Sequence, residues 1–157
     1  MANPTRPSLL YVDDEQSSLT AFKASFRKYY QVFTANNLAE AQKVLAENTI
    51  NILLTDQRMP GTFGTTLLEY AVANYPRQVR ILISAFTDYA VLLNAVQKGH
   101  IVDFVEKPWD TDDLKKRIDY AYTVYFGNME AEFVKDEAEK AKKIIDKNLK
   151  DLLGDSD

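Results

Sequence analysis

The chain contains no cysteine. That excludes a disulfide framework and a thiolate metal site, and it fits a cytoplasmic setting. There is one histidine, His100, too few for a histidine metal site or a conventional Ser-His-Asp arrangement. Glycine and proline number five each in 157 residues, too few for low complexity. No apolar run approaches the roughly 20 residues that cross a bilayer. Residues 1–7 lack the apolar core of a signal peptide. Positive charge is not in excess either: 19 Lys and Arg against 23 Asp and Glu leave a net −4. A basic footprint is missing, so neither direct nucleic-acid contact nor membrane contact is expected.

What is present is a soluble, core-forming composition, 46% hydrophobic and 27% charged. The length suits one domain with an appendage. Pro4 and Pro7 make residues 1–7 a loose lead-in. Short apolar runs at 8–12, 31–35, 50–55, 79–84 and 102–106 read as buried strands. Between them, apolar residues three to four apart predict helices over 16–29, from 38, over 65–75 and over 88–98. Asn37 with Glu40 resembles an N-cap with an acid three residues on. Asp110 opens a last helix with acids in its first turn. Five strands alternating with five helices mean βαβ units and a parallel sheet. Nearly unbroken apolar strands agree with a sheet covered on both faces.

The polar residues that end these strands describe one site. Asp13 and Asp14 follow the first strand, Asp56 the third, Ser84 ends the fourth, and Lys107 follows the fifth. In a parallel sheet all strand C-termini lie on one edge, where open α/β sheets bind ligands. Three carboxylates, a hydroxyl and an ammonium should therefore converge. Any one Asp alone would be a turn or cap residue; their joint placement is what carries the expectation.

The pieces Tyr11-Val12-Asp13-Asp14-Glu15, Thr55-Asp56-Gln57-Arg58-Met59-Pro60-Gly61 with Gly64, Ser84-Ala85, and Phe104-Val105-Glu106-Lys107-Pro108-Trp109 resemble the receiver domain of bacterial two-component response regulators, CheY-like in fold. The resemblance covers residues 9–126. It implies a flavodoxin-like (βα)5 doubly wound parallel sheet with strand order 2-1-3-4-5, the order the general rule illustrates with a member of this family. It also implies that Asp56 accepts a phosphoryl group from a histidine kinase, a phosphotransfer protein or a small phosphodonor. Mg²⁺ would be held by Asp13 (through water), Asp14, Asp56 and the main-chain carbonyl of Arg58. Such a hard, octahedral cation suits carboxylates, water and phosphate oxygen. Lys107 would neutralise phosphoryl oxygens, and Ser84 would hydrogen-bond to one of them only after transfer. Phe104 matches the family's switch aromatic, and a cis bond between Lys107 and Pro108 would aim the lysine inward. Arg58 and Phe86 occupy positions that tune phosphate lifetime. Such a protein modifies itself and is not a turnover enzyme. The rival with similar chemistry, a haloacid-dehalogenase-type phosphatase, resembles Asp-x-Asp after the first strand, whereas Asp13 and Asp14 are adjacent here.

After Phe126 the composition shifts to Glu, Lys, Asp and Ala. Val134, Ala138, Ala141, Ile145 and Leu152, with Asn148 in the gap, keep a coiled-coil spacing; a solvated charged helix fits equally well. The expected organisation is a lead-in at 1–7, a receiver at 8–126 and a helical extension at 127–157. That extension serves as a linker to a missing effector domain or as a coiled coil pairing two copies through the last helix and tail. The output is a docked effector protein or that missing domain. The Asp-Gln-Arg-Met-Pro and Lys-Pro-Trp variants resemble receivers joined to cyclic-nucleotide or phosphatase effectors. The alternative is a docking scaffold indifferent to phosphate.

Overall fold

A computed structural model describes residues 6–85 and 89–154, with backbone alone at 62, 63 and 89. Phe86 lies outside the described residues. The strands are β1 (Ser8–Val12), β2 (Gln31–Ala35), β3 (Ile52–Asp56), β4 (Arg58–Met59), β5 (Thr62–Phe63), β6 (Val79–Ser84) and β7 (Asp103–Glu106). The helices are α1 (Gln16–Phe26), α2 (Leu38–Glu47), α3 (Gly64–Asn74), α4 (Tyr89–Gln97) and α5 (Thr111–Leu153). Five strands form one sheet in the order β2-β1-β3-β6-β7, all parallel. Counting only those five, the order is 2-1-3-4-5, as expected. The chain divides into two units, Met1–Tyr125 and Phe126–Asp157.

Alternation along the strands explains the double cover. On β1, Leu9 and Tyr11 join a core with Phe22 and Phe26 of α1 and Leu114 and Ile118 of α5. Leu10 and Val12 join Ala41 and Leu45 of α2 and Leu67 of α3. Both faces of one strand are thus apolar, and neither could be left in water. A third cluster sets Leu68 and Leu82 against Ala95 of α4 and Ile101.

The boundaries depart from the sequence expectation where side chains take over backbone groups. The third strand starts at Ile52 rather than 50. Just before it the Asn51 carboxamide accepts from the Ser8 amide at 2.9 Å and the Ser8 hydroxyl at 2.9 Å. The fifth strand starts at Asp103, whose carboxylate accepts from the Phe104 amide at 2.8 Å. Helix α1 stops at Phe26 instead of 29, because the next residues turn back to bond the Phe26 carbonyl. The Pro60-Gly61 loop holds a small antiparallel pair that sequence pattern did not reveal: Arg58 pairs Phe63 and Met59 pairs Thr62. Gly61 takes φ 78° at its tip, a conformation that costs glycine little.

Candidate functional site

Asp13 is fully buried at the end of β1. Its Oδ1 accepts the Glu15 amide at 3.0 Å, which starts the turn into α1. Its Oδ2 accepts the Tyr11 hydroxyl at 2.6 Å. Asp14 is exposed. Asp56 is 8% exposed at the end of β3. The carboxylates of Asp13, Asp14 and Asp56 each place an oxygen within 4.8 Å of the others. The five strand-end residues are distributed over β1, β3, β6 and the β7–α5 loop, on the sheet's C-terminal edge, as the parallel topology requires.

Lys107 reaches into this group. Its Nζ donates to Asp13 Oδ2 at 2.5 Å and to Asp56 Oδ2 at 3.1 Å. The lysine is held from both sides of its own backbone. Its amide donates to the Ser84 carbonyl at 2.9 Å, and the Lys107-Pro108 bond is cis, as expected. Trp109, next in line, packs edge-on against Tyr11 and Phe22, both at 5.8 Å between centroids.

Burial pushes the Asp56 carboxyl up from its ordinary 3.8, and the charge of Asp13 adds to this; Lys107 offsets only part. Burial alone would lower Lys107, but the hydrogen bond and charges of Asp13 and Asp56 outweigh it and hold the ammonium above its usual range. Burial, then the bond to Asp13, raises the Tyr11 phenol. The edge therefore carries two buried carboxylates, a third nearby in solvent, and one ammonium. The charge left over is negative, which suits a hard divalent cation with oxygen ligands.

Ser84 is 3% exposed at the end of β6. Arg58 opens β4, two residues past Asp56, and is exposed. Phe104 is half-buried in β7 and packs against the cluster of Leu68, Leu82, Ala95 and Ile101. Asp13, Asp56 and Lys107 are thus in direct contact and Asp14 is adjacent. Phe104 sits apart, on the α4 side of the sheet.

Two contributors were not singled out from sequence. The Tyr11 hydroxyl braces Asp13, and period-2 alternation signals it, since residues 11 and 13 share a face. Gln57 caps α3: its side-chain oxygen accepts the Thr65 amide at 3.1 Å and its carbonyl accepts the Gly64 amide at 2.8 Å. A Cβ at Gly64 would run into the Asp56 carbonyl oxygen, so only glycine lets α3 begin this close to the acceptor strand.

The family model for the response regulator receiver domain matches residues 9–119. The chain is 34% identical over 107 residues to the hydrogenase transcriptional regulatory protein HoxA of Cupriavidus necator, covering 68% of this chain and 22% of that protein. The chain thus spans between about a fifth and a quarter of the length of HoxA and of NtrC from Escherichia coli. The structure resembles that of an adenylate cyclase from Rhodopirellula baltica (TM-score 0.74, 26% identity, covering 88% of this chain and 98% of that one). It also resembles the beryllofluoride-activated NtrC4 receiver domain dimer (TM-score 0.70, 28% identity, covering 75% and 98%). Match over most of the length, fold and strand order agree: the chain belongs to the response regulator receiver domain family.

Proposed function

We propose that this receiver takes a phosphoryl group onto Asp56 and thereby switches a protein-interaction surface. The observation that carries it is the Lys107 ammonium suspended between Asp13 and Asp56, with Asp14 alongside. An Asp56 oxygen attacks phosphorus as the bond from phosphorus to the donor's leaving atom breaks. The acyl phosphate so formed is later hydrolysed to carboxylate and inorganic phosphate. Such transfer needs positioning and charge neutralisation more than covalent help. Lys107, already at Asp56, supplies a positive charge to the incoming oxygens. Asp14, Asp56 and the Arg58 carbonyl, with Asp13 acting through water, would hold Mg²⁺, which would add the remaining neutralisation. The Ser84 hydroxyl donates to a phosphoryl oxygen once transfer has occurred. Phe104, between that strand and α4, then turns inward and reshapes the α4–β7–α5 face. Arg58 and Phe86, at the two positions that tune phosphate lifetime in the family, slow hydrolysis.

The phosphodonor is a histidine kinase, a phosphotransfer protein or a small acyl phosphate, and the setting is cytoplasmic. Among the described residues no helix is long and apolar enough to cross a membrane. HoxA is named as a transcriptional regulator and the Rhodopirellula protein as an adenylate cyclase, so similar receivers are named with different outputs. This chain's output is an effector protein or a further domain of the same polypeptide. It is a self-modifying switch and not a turnover enzyme.

The test is intact-protein mass after incubation with Mg²⁺ and a small acyl-phosphate donor. One added phosphoryl group in the wild type and none in Asp56→Asn is expected. No addition to a folded wild type under donor and kinase alike would overturn the reading and leave a phosphate-independent docking module.

A further inference from the structure

We infer that residues 130–152 pair with the same segment of a second copy as a parallel, in-register two-stranded coiled coil. The helical tail leaves large apolar side chains in water: Val134 at 64% exposed, Ile145 at 57%, Leu149 at 50% and Leu152 at 81%. Five residues with Asn148 place one line along the helix. Val134, Ala141 and Asn148 take heptad position d, and Ala138, Ile145 and Leu152 take position a. The single polar Asn148 in the seam specifies register.

The flanks name the occupant. With that seam fixed, the g positions are Glu130, Glu137, Ile144 and Asp151, and the e positions are Lys135, Lys142 and Leu149. In a parallel pair each g residue meets the e residue five further along the partner. Glu130 then meets Lys135, Glu137 meets Lys142, and Ile144 meets Leu149, and two-fold symmetry doubles each contact. Every pairing is complementary. An antiparallel pair sets g against g and e against e, which brings Glu or Asp to Glu and Lys to Lys. The remaining positions, Glu132, Asp136, Glu139, Lys140, Lys143, Asp146, Lys147 and Lys150, are charged and face outward, with Phe133 and Leu153 as apolar exceptions. Glu137 has an intrahelical partner, Lys140 at 3.4 Å, an exposed pair of the kind that contributes little.

A partner of different sequence would have to reproduce this alternation of acid, base and apolar residue, whereas a second copy supplies it by symmetry. The pairing does not depend on phosphate, so it stands or falls separately from the switch, and Asp56→Asn should pair as the wild type does.

The experiment is sedimentation equilibrium of the full chain without phosphodonor, with circular dichroism to verify that each variant keeps its helix. The wild type should dimerise. Glu130→Lys with Glu137→Lys should weaken the dimer roughly tenfold or more, since four attractive contacts become repulsive. Adding Lys135→Glu and Lys142→Glu to the same chain should restore it. The chain has no cysteine, so Asn148→Cys introduces a single thiol. Mild oxidation should cross-link it to its own copy in the parallel register. A wild type that stays monomeric overturns the inference. So does a dimer indifferent to the charge reversal, a reversal that the second pair of substitutions does not repair, or a dimer in which Cys at 148 does not cross-link.

Discussion

Asp13 and Asp56 share one ammonium, and that arithmetic controls the residue-scale behaviour of the site. Asp56 is worse off in the folded chain than in the unfolded one, because burial and Asp13 outweigh Lys107. Its native pKa lies above 3.8, so between the two values the native state binds more protons than the unfolded state. Stability therefore falls as pH rises through that window, and at neutral pH the full penalty is present. Asp56→Asn carries no such penalty and leaves Lys107 its bond to Asp13. Without divalent cations the variant should melt above the wild type at neutral pH. The gap should close as pH drops through the window above 3.8 in which the wild type protonates. Thermal unfolding across that range checks it; a variant that melts lower at neutral pH would show that the Lys107 contact outweighs burial.

At the scale of elements, α2 offers the cleanest lever. The Asn37 side chain accepts the Glu40 amide at 2.8 Å, and the Glu40 carboxylate accepts the Asn36 amide at 3.0 Å. Asn37→Ala should cost about 1 kcal/mol while phosphoryl acceptance stays intact, since the cap's side-chain hydrogen bonds run among Asn36, Asn37 and Glu40. Denaturant unfolding beside the mass assay separates the two readouts. This cap was legible because its side chains bond locally. The strand order, the apolar faces of β1 and the strand-end polar residues were legible too, because period-2 and period-3.6 patterns report burial directly. Arg80 was not. It sits in the middle of an apolar run, and sequence gives no sign that it is 7% exposed. Its guanidinium donates to the carbonyls of His100 at 2.7 Å and Gln78 at 2.6 Å, at the end of the sheet away from Asp56. Those acceptors are carbonyls brought together by tertiary packing, which no local pattern encodes. The β4–β5 pair was missed for the same reason, since two-residue strands leave no period to detect. Ser84 and Lys107 were found because they terminate strands and match the family's pieces; the partners of Lys107 follow from the sheet.

At the scale of the whole molecule, net charge and the acidic edge both respond to added salt, but to different extents. A chain of charge −4 gains a little from any electrolyte that screens self-repulsion. A cation that binds Asp13, Asp14 and Asp56 in the native state alone does more, because it draws the folding equilibrium by mass action. At a Mg²⁺ concentration of about 100 Kd the gain is about 2.7 kcal/mol, which for a domain of this size moves Tm by on the order of 10 °C. Matching ionic strength with a monovalent salt isolates this contribution from screening. The wild type should therefore melt higher in Mg²⁺ than in the matched salt and return when the metal is chelated. Asp14→Asn should lose most of that difference while keeping the Lys107 contacts to Asp13 and Asp56, in which Asp14 takes no part. Equal Mg²⁺ shifts in the wild type and in Asp14→Asn would mean that the three carboxylates do not act as one site. The cation would then be screening the whole surface, and neutralisation at Asp56 would rest on Lys107 alone.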